Sequence, residues 1–168
     1  MALTNEQILA AAQAIAPSVE GVEHHGDYTI VVPKEHLIDV LTELRDNPNT
    51  QFAMLADITA IDWAKGAERF DVVYFLSSLA NNARVRVKVR VREDNLHVPT
   101  AIGVWESANW YERETYDMYG VIFDGHPDLR RFYMPEDFMD EDGEPLYPLR
   151  KDFPLMGIPG SLPLPEKD

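Results

Sequence analysis

Residues 84–92 read RVRVKVRVR, an unbroken alternation of valine with a cation. Successive side chains of a β-strand point to opposite faces, so this pattern gives one apolar face and one charged face. A strand with one buried and one wet face is typical of an antiparallel sheet that is covered on one side. The stretch therefore predicts a sheet with a single covered face.

Further strands and helices are predicted around this stretch. Apolar residues at helical spacing follow a capping box at Thr4 and Gln7, and a second helical pattern follows Pro33. Helices on one face of a mostly antiparallel sheet make a two-layer α+β domain. The predicted strands are residues 19–24, 28–32, 52–58, 70–76 and 84–92.

The composition excludes several classes of function. The chain has 168 residues with a net charge of −14, and this acidity argues against nucleic acid and anionic lipid as ligands. The cations of residues 84–92 are therefore expected to meet acidic side chains, either of this chain or of a neighbour. With no cysteine, the chain has no disulfide, no thiolate nucleophile and no thiolates for an iron–sulfur cluster.

Two further observations bear on location. No stretch reaches the roughly 20 apolar residues of a membrane span. The first residues lack the basic head and apolar core of a signal peptide. The expectation is a protein that stays in the cytoplasm and serves a membrane only through other proteins.

The last third of the chain has a different character. Eight of the 12 prolines follow residue 120, which limits regular structure, yet this part is rich in apolar side chains. We predict an α+β domain at residues 1–120 and an extended, proline-rich C-terminal arm at 121–168 that docks on partner subunits. In the isolated chain, the segment after about Phe132 is expected to be loosely held.

A cluster of charges at residues 112–117 has two interpretations. Glu112, Glu114 and His126 are candidates for a carboxylate-dependent hydrolase. Glu112 and Glu114 lie on different faces of a helix, however, whereas Arg113 and Asp117 are four residues apart and predict an ion pair. The chain has no dinucleotide-binding fingerprint, P-loop or serine elbow. We predict no catalytic, cofactor-binding or metal-binding residue.

Four motifs in the second half of the chain resemble the signature of a known family. They are NWYERE (109–114), YDMYG (116–120), GHPDLRR (125–131) and PLRKDFP (148–154). This combination is similar to the respiratory complex I 30 kDa subunit family, whose bacterial member is the C subunit of the proton-pumping NADH–quinone oxidoreductase. The resemblance extends upstream through residues 55–62, 70–79 and 84–94.

The resemblance implies a non-redox structural and assembly subunit in the quinone module of the peripheral arm. It implies contacts with the D and B subunits, with the FMN and the iron–sulfur clusters on partner subunits and no cofactor on this chain. It also implies a peripheral location on the cytoplasmic side of the cell membrane. The corresponding subunit of a membrane-bound hydrogenase or of formate hydrogenlyase shares the signature and stays an alternative.

The residues that we expect at the partner interface are charged or polar residues of these motifs. Paired contacts of this kind fix the register of an interface more than they add affinity. They are Glu112, Arg113, Glu114, Asp117, His126, Arg130, Arg150, Lys151 and Asp152.

Overall fold

A computed structural model of the chain describes residues 3–154. The predicted α+β class is confirmed, with three helices and seven strands in these residues. The elements are α1 (Asn5–Ile15), β1 (Glu20–His24), β2 (Asp27–Val31), a 3-10 turn (Lys34–His36), α2 (Leu37–Asp46), β3 (Met54–Asp62), β4 (Phe70–Ser78), β5 (Ala83–Val91), β6 (His97–Pro99), α3 (Ala108–Tyr119) and β7 (Ile122–Asp124).

Five strands form the main sheet in the order β1-β2-β5-β4-β3. Neighbouring strands are antiparallel except for β2 and β5, which run parallel. The sheet is therefore mostly antiparallel, as the sequence predicts. A separate parallel pair joins β6 to β7.

The alternation in β5 has the predicted effect on burial. Val85, Val87, Val89 and Val91 are buried, whereas Arg84 and Arg90 on the other face are exposed. A one-residue slip of β5 would turn this whole valine face toward water, because successive side chains point to opposite faces. Each Å² of apolar area exposed in this way would cost about 25 cal/mol. The pattern therefore fixes the register of the sheet.

The helices cover the valine face. Helix α1 begins with the predicted capping box, in which the Thr4 side chain accepts from the Gln7 backbone and the Gln7 side chain from that of Thr4. Ile8 of α1 and Leu41 of α2 belong to one buried cluster with Val87. Helix α3 lies along the outer edge of β3, where Thr115 Oγ1 donates to the Ile58 carbonyl at 2.9 Å. A covered edge strand offers no template for further pairing.

The predicted domain boundary at residue 120 is wrong. Strand β7 pairs with β6, and both Val121 and Phe123 are buried in the domain core. Residues 125–154, which we call the C-terminal segment, also fold back on the domain. A loosely held segment after Phe132 in the isolated chain stays a prediction. The rest of the predicted arm, residues 155–168, lies outside the described residues.

Candidate functional site: helix α3 and the C-terminal segment

Helix α3 carries charged side chains into the protein interior. Glu112, Arg113 and Asp117 are each at most 5% exposed. Buried charges are rare unless they are paired or hydrogen-bonded, so the partners of these three groups define what the helix does. The partners of Arg113 and Asp117 lie in the C-terminal segment.

Asp117 holds the start of the C-terminal segment by its carboxylate. Its Oδ2 accepts three successive backbone N–H groups, from Phe132 (3.2 Å), Tyr133 (2.8 Å) and Met134 (2.9 Å). Its Oδ1 accepts from Arg131 Nη1 at 3.1 Å. Four donors around a fully buried carboxylate satisfy the charge and fix the path of the backbone.

The predicted ion pair between Arg113 and Asp117 is wrong. Asp117 pairs with Arg131, and Arg113 Nε donates to the carbonyl of Arg130 at 3.2 Å. The Arg113 guanidinium also lies 4.9 Å from the ring of Trp110 and 5.1 Å from that of Phe132. The long-range partners prevail because they give the buried Asp117 carboxylate four donors, and a buried charge is costly unless such groups satisfy it.

Glu112 faces the other side of the helix. Its oxygens accept from Ala101 N and from Thr100 Oγ1, each at 2.6 Å. Burial raises the pKa of Glu112 to about 7, although both hydrogen bonds oppose the shift. Tyr74 is fully buried nearby, its hydroxyl has no hydrogen-bond partner in the described residues, and burial with the charge of Glu112 raises its pKa. Glu112 thus ties α3 to the turn after β6.

Arg150 anchors the far end of the C-terminal segment. Its Nε donates to the Tyr119 carbonyl at 2.6 Å, and its guanidinium lies 4.3 Å from the Tyr147 ring and 5.2 Å from that of Phe70. The contact needs a glycine at position 120, which ends α3 with φ +78°. A Cβ there would lie 2.6 Å from Tyr147 Cζ.

A second anchor is centred on Arg69. It forms two hydrogen bonds with Asp62 (2.7 and 2.8 Å) and one with Asp152 (2.7 Å). Asp62 also accepts from the Lys151 backbone N–H at 2.8 Å. The Arg69 guanidinium holds the pKa of Asp62 well below its usual range. A bidentate, largely buried pair of this kind is one of the stronger polar contacts in proteins.

The other predicted interface residues lie at the surface. Arg130, Lys151 and Asp152 are exposed, while Glu114 and His126 are half-buried. Burial and then the charge of Asp57 raise the pKa of Glu114. Sequence reasoning therefore placed two kinds of residue in one set: groups that hold the C-terminal segment on the domain, and groups that face solvent.

Three exposed rings lie beside this site. Trp110 is 60% and Tyr133 58% exposed, and Phe132 contacts both of them, with ring centroids 5.9 Å from Trp110 and 4.1 Å from Tyr133. Exposed Trp and Tyr next to a fixed Arg are typical of the centre of a protein interface. The sequence analysis missed this cluster because Trp110 is more than 20 residues from the other two rings, and the Asp117 contacts bring them together.

Two of the candidate hydrolytic residues have hydrogen-bond partners within the chain. His126 receives a hydrogen bond from Asp128 N on one ring nitrogen, and its other nitrogen contacts the Asn109 carbonyl. Both oxygens of Glu112 are engaged within the chain. Glu112 and His126, two of the three residues of the hydrolase hypothesis, are therefore each held by contacts of their own, with Thr100 and Ala101 and with Asn109 and Asp128.

Residues 3–154 offer neither a metal-binding cluster nor a membrane-spanning helix. They contain no group of three or more His, Cys, Asp and Glu side chains placed to bind a metal ion. Their helices include none with the length and the apolar character needed to cross a membrane.

The sequence was compared with known families. It matches the family described as "Respiratory-chain NADH dehydrogenase, 30 Kd subunit" over residues 30–159. Every buried anchor described above lies inside this range.

Several bacterial proteins that are similar to this chain are named as C subunits of NADH-quinone oxidoreductase. The C subunit of NADH-quinone oxidoreductase from Methylorubrum populi is 50% identical over 134 residues, which is 80% of this chain and 58% of the relative. That of Brucella ovis is 51% identical over 80% of this chain and 63% of the relative, and the C 2 subunit of Rhizobium meliloti is 48% identical over 82% and 72%. The matched part thus spans about three fifths to three quarters of these relatives.

Two solved structures share the fold. A trypsin-resistant fragment of Nqo5 (1–134) matches with a TM-score of 0.62 and 33% identity, covering 74% of this chain and 98% of the fragment. A chain of the membrane-bound sulfane sulfur reductase, an archaeal respiratory membrane complex, matches with a TM-score of 0.72 and 29% identity, covering 90% of this chain and 86% of that one. By sequence and by fold, the chain belongs to the family of the respiratory-chain NADH dehydrogenase 30 Kd subunit.

Proposed function

We propose that this chain is the C subunit of an NADH–quinone oxidoreductase and acts there as a non-redox structural and assembly subunit. The observation that carries the proposal is about 50% identity to the C subunits of several bacteria over 80% of this chain. The composition supports it, because a chain without cysteine cannot hold an iron–sulfur cluster by its own thiolates.

In this role the chain belongs to the quinone module of the peripheral arm and contacts the D and B subunits. The FMN and the iron–sulfur clusters that pass electrons from NADH to quinone are on partner subunits, and the complex couples this transfer to proton translocation. The chain reaches the cytoplasmic side of the membrane only through the complex.

The interface that we propose has two parts. Glu112, Arg113, Asp117 and Arg150 act indirectly, because they hold the C-terminal segment in one conformation. The exposed and half-buried groups make the contacts, and the rings of Trp110, Phe132 and Tyr133 supply the apolar centre. Preorganising a surface in this way lowers the entropy cost of binding. The contacting charged and polar groups are Glu114, His126, Arg130, Lys151 and Asp152.

Complementation of a strain that lacks the chain tests this role. A tagged copy should restore NADH-dependent quinone reduction by membranes and should purify with flavin-containing partners. Trp110→Ala should reduce both, whereas Leu79→Ala, which removes an exposed side chain outside the proposed interface, should reduce neither. Full quinone reduction by membranes without the chain would contradict the proposal.

The second candidate is the corresponding subunit of a related membrane complex, such as a membrane-bound hydrogenase or formate hydrogenlyase. The observation in its favour is the fold match to a chain of the sulfane sulfur reductase complex, which covers 90% of this chain. The same purification discriminates, because a nickel-containing partner without flavin indicates the hydrogenase alternative.

A further inference from the structure

Two arginines lie in the protein interior in very different surroundings. Among residues 3–154, the buried cations are Arg69, which is 8% exposed, and Arg113, which is 5% exposed. Arg69 forms ion pairs with the carboxylates of Asp62, Glu93 and Asp152. Arg113 forms no ion pair within the described part of the chain, although an arginine keeps its charge at physiological pH. A buried charge without a counter-charge is costly, because it loses the stabilisation that water gives it.

Arg113 uses little of its capacity for hydrogen bonds. A guanidinium has five N–H donors. The one hydrogen bond that Arg113 makes with residues 3–154 runs from Nε to the Arg130 carbonyl. The two Nη atoms are not sealed from solvent, because the Tyr74 hydroxyl is the only sealed side-chain N or O atom in residues 3–154 that has no partner. The Nη edge of Arg113 therefore still meets water.

The carboxylates close to Arg113 in the chain do not supply the missing counter-charge. Asp117 accepts from the four donors described above, and Asp128 pairs with the arginine two residues after it. Glu112 accepts from the turn after β6. Burial and the charge of a second carboxylate, on β3, raise the pKa of Glu114, so Glu114 lies beside another acid.

The exposed ring cluster lies over Arg113. The centre of its guanidinium is 4.9 Å from the Trp110 ring and 5.1 Å from the Phe132 ring, within the range of a cation–π contact. A partner that covers these rings, as proposed above, also removes the water from the Nη edge. The partner must then supply an acceptor, because burying this charge without one is unfavourable.

We propose that a partner subunit places a carboxylate against the Nη edge of Arg113, inside the aromatic contact made by Trp110 and Phe132. This inference rests on the proposed function and names the chemical group that the centre of the interface receives. A carboxylate fits because its two oxygens match two parallel N–H groups of an arginine. Nucleic acid does not fit, since a chain with a net charge of −14 repels phosphates.

Arg113 thus has two roles, and glutamine at this position separates them. The amide nitrogen of glutamine occupies the position of Nε and can donate to the Arg130 carbonyl, whereas the charge and both Nη atoms are lost. Arg113→Gln should therefore retain the melting temperature of the isolated chain. Recovery of flavin-containing partners with the tagged chain should fall about tenfold.

The matched control is Arg92→Gln, which removes an exposed guanidinium outside the proposed interface and should leave recovery unchanged. Unchanged recovery with Arg113→Gln overturns the proposal. A fall in the melting temperature of Arg113→Gln that accompanies the lost recovery also overturns it, because a purely structural role then explains both results.

Zero-length cross-linking identifies the carboxylate directly. Arg113→Lys keeps the charge and adds an amine that a carbodiimide joins to a carboxylate in contact. In membranes of the complemented strain, the expected product links the peptide around position 113 to an Asp or Glu of a different chain. Arg92→Lys is the matched control and should link only within this chain, where Asp94 is its neighbour.

Three results of the cross-linking overturn the proposal: links from position 113 only within this chain, including residues 155–168, links to a second copy of the chain, and no links. Quinone reduction restored by the tagged parent chain would still support the proposed function in each of these cases. The two proposals therefore fail separately.

Discussion

Asp117 and Arg131 lie 14 positions apart in the chain, and their side chains meet at 3.1 Å where both are shielded from water. The same carboxylate accepts three successive backbone N–H groups from residues 132–134. One side chain of α3 therefore orders the start of the C-terminal segment. Four predictions test this and the other buried groups.

Asp117→Asn should destabilise the chain by about 3 kcal/mol, because either orientation of the amide puts its NH2 group against donors. Urea unfolding followed by tryptophan fluorescence measures the loss. Amide exchange should also accelerate across residues 131–134. The control is Asp128→Asn, whose exposed pair with Arg130 should contribute no more than about 0.5 kcal/mol. Equal losses for both variants would contradict the role of Asp117.

Gly120→Ala should cost about 2 kcal/mol more than Gly143→Ala. Both glycines have φ near +80°, so both variants pay the same backbone strain. Only at position 120 does the new Cβ meet Tyr147 and Arg150, at 2.6 and 2.7 Å, whereas position 143 has open space. The difference in free energy of unfolding between the two variants isolates this contact, and a difference near zero would show that the segment moves aside freely.

Glu112→Gln should flatten the pH dependence of stability between about pH 4.5 and 7. The pKa of Glu112 is raised to about 7 in the folded protein, so the folded state binds the proton more tightly than the unfolded state does. The contribution of Glu112 to the free energy of unfolding is therefore fully present below about pH 4.5 and is lost as the pH rises through 7. The loss is on the order of 3 kcal/mol, from a rise in pKa of about 2.5 units.

Urea titrations at half-unit pH steps measure this difference. The Asp62–Arg69 pair does not interfere, because the pKa of Asp62 is lowered and its contribution is lost only at more acidic pH. Parallel pH profiles for Glu112→Gln and the parent chain would refute a titration of Glu112 in this window.

Arg69→Lys should destabilise the chain by about 1–3 kcal/mol, because a lysine cannot form the bidentate contact with Asp62 and also reach Asp152. Protection of amides in residues 150–153 should fall with it. Arg92→Lys, in an exposed local pair with Asp94, serves as the control and should change the free energy of unfolding by less than about 0.5 kcal/mol. Unchanged protection at residues 150–153 would show that Arg69 does not hold the segment.

The elements of the fold that depend on local pattern could be predicted from the sequence. Each of these patterns is formed by residues that are close together in the chain. They are the alternation at residues 84–92, the capping box at Thr4 and the helical spacing after Pro33. The parallel pairing of β2 with β5 could not be predicted, because strand order depends on contacts between distant residues. The family could also be recognised, since four long motifs in the second half of the chain resemble its signature together.

The site was predicted only in part, because its contacts also join residues that are distant in the chain. Helical spacing suggested a partner for Asp117 four residues away, but burial selected Arg131 and the backbone of residues 132–134. The prolines and apolar residues after position 120 suggested an arm that leaves the domain. The sequence could not show that Arg150 donates to the Tyr119 carbonyl or that Asp152 accepts from Arg69.

Local periodicity, composition and motifs by themselves determined the α+β class, the covered and open faces of the sheet, the absence of thiol chemistry and the family. The tertiary structure alone decided which charges are buried, which partners they take and where the C-terminal segment lies. The physical reason is that a buried charge must be satisfied by whichever donors or acceptors the fold brings to it, and those groups are distant in the chain.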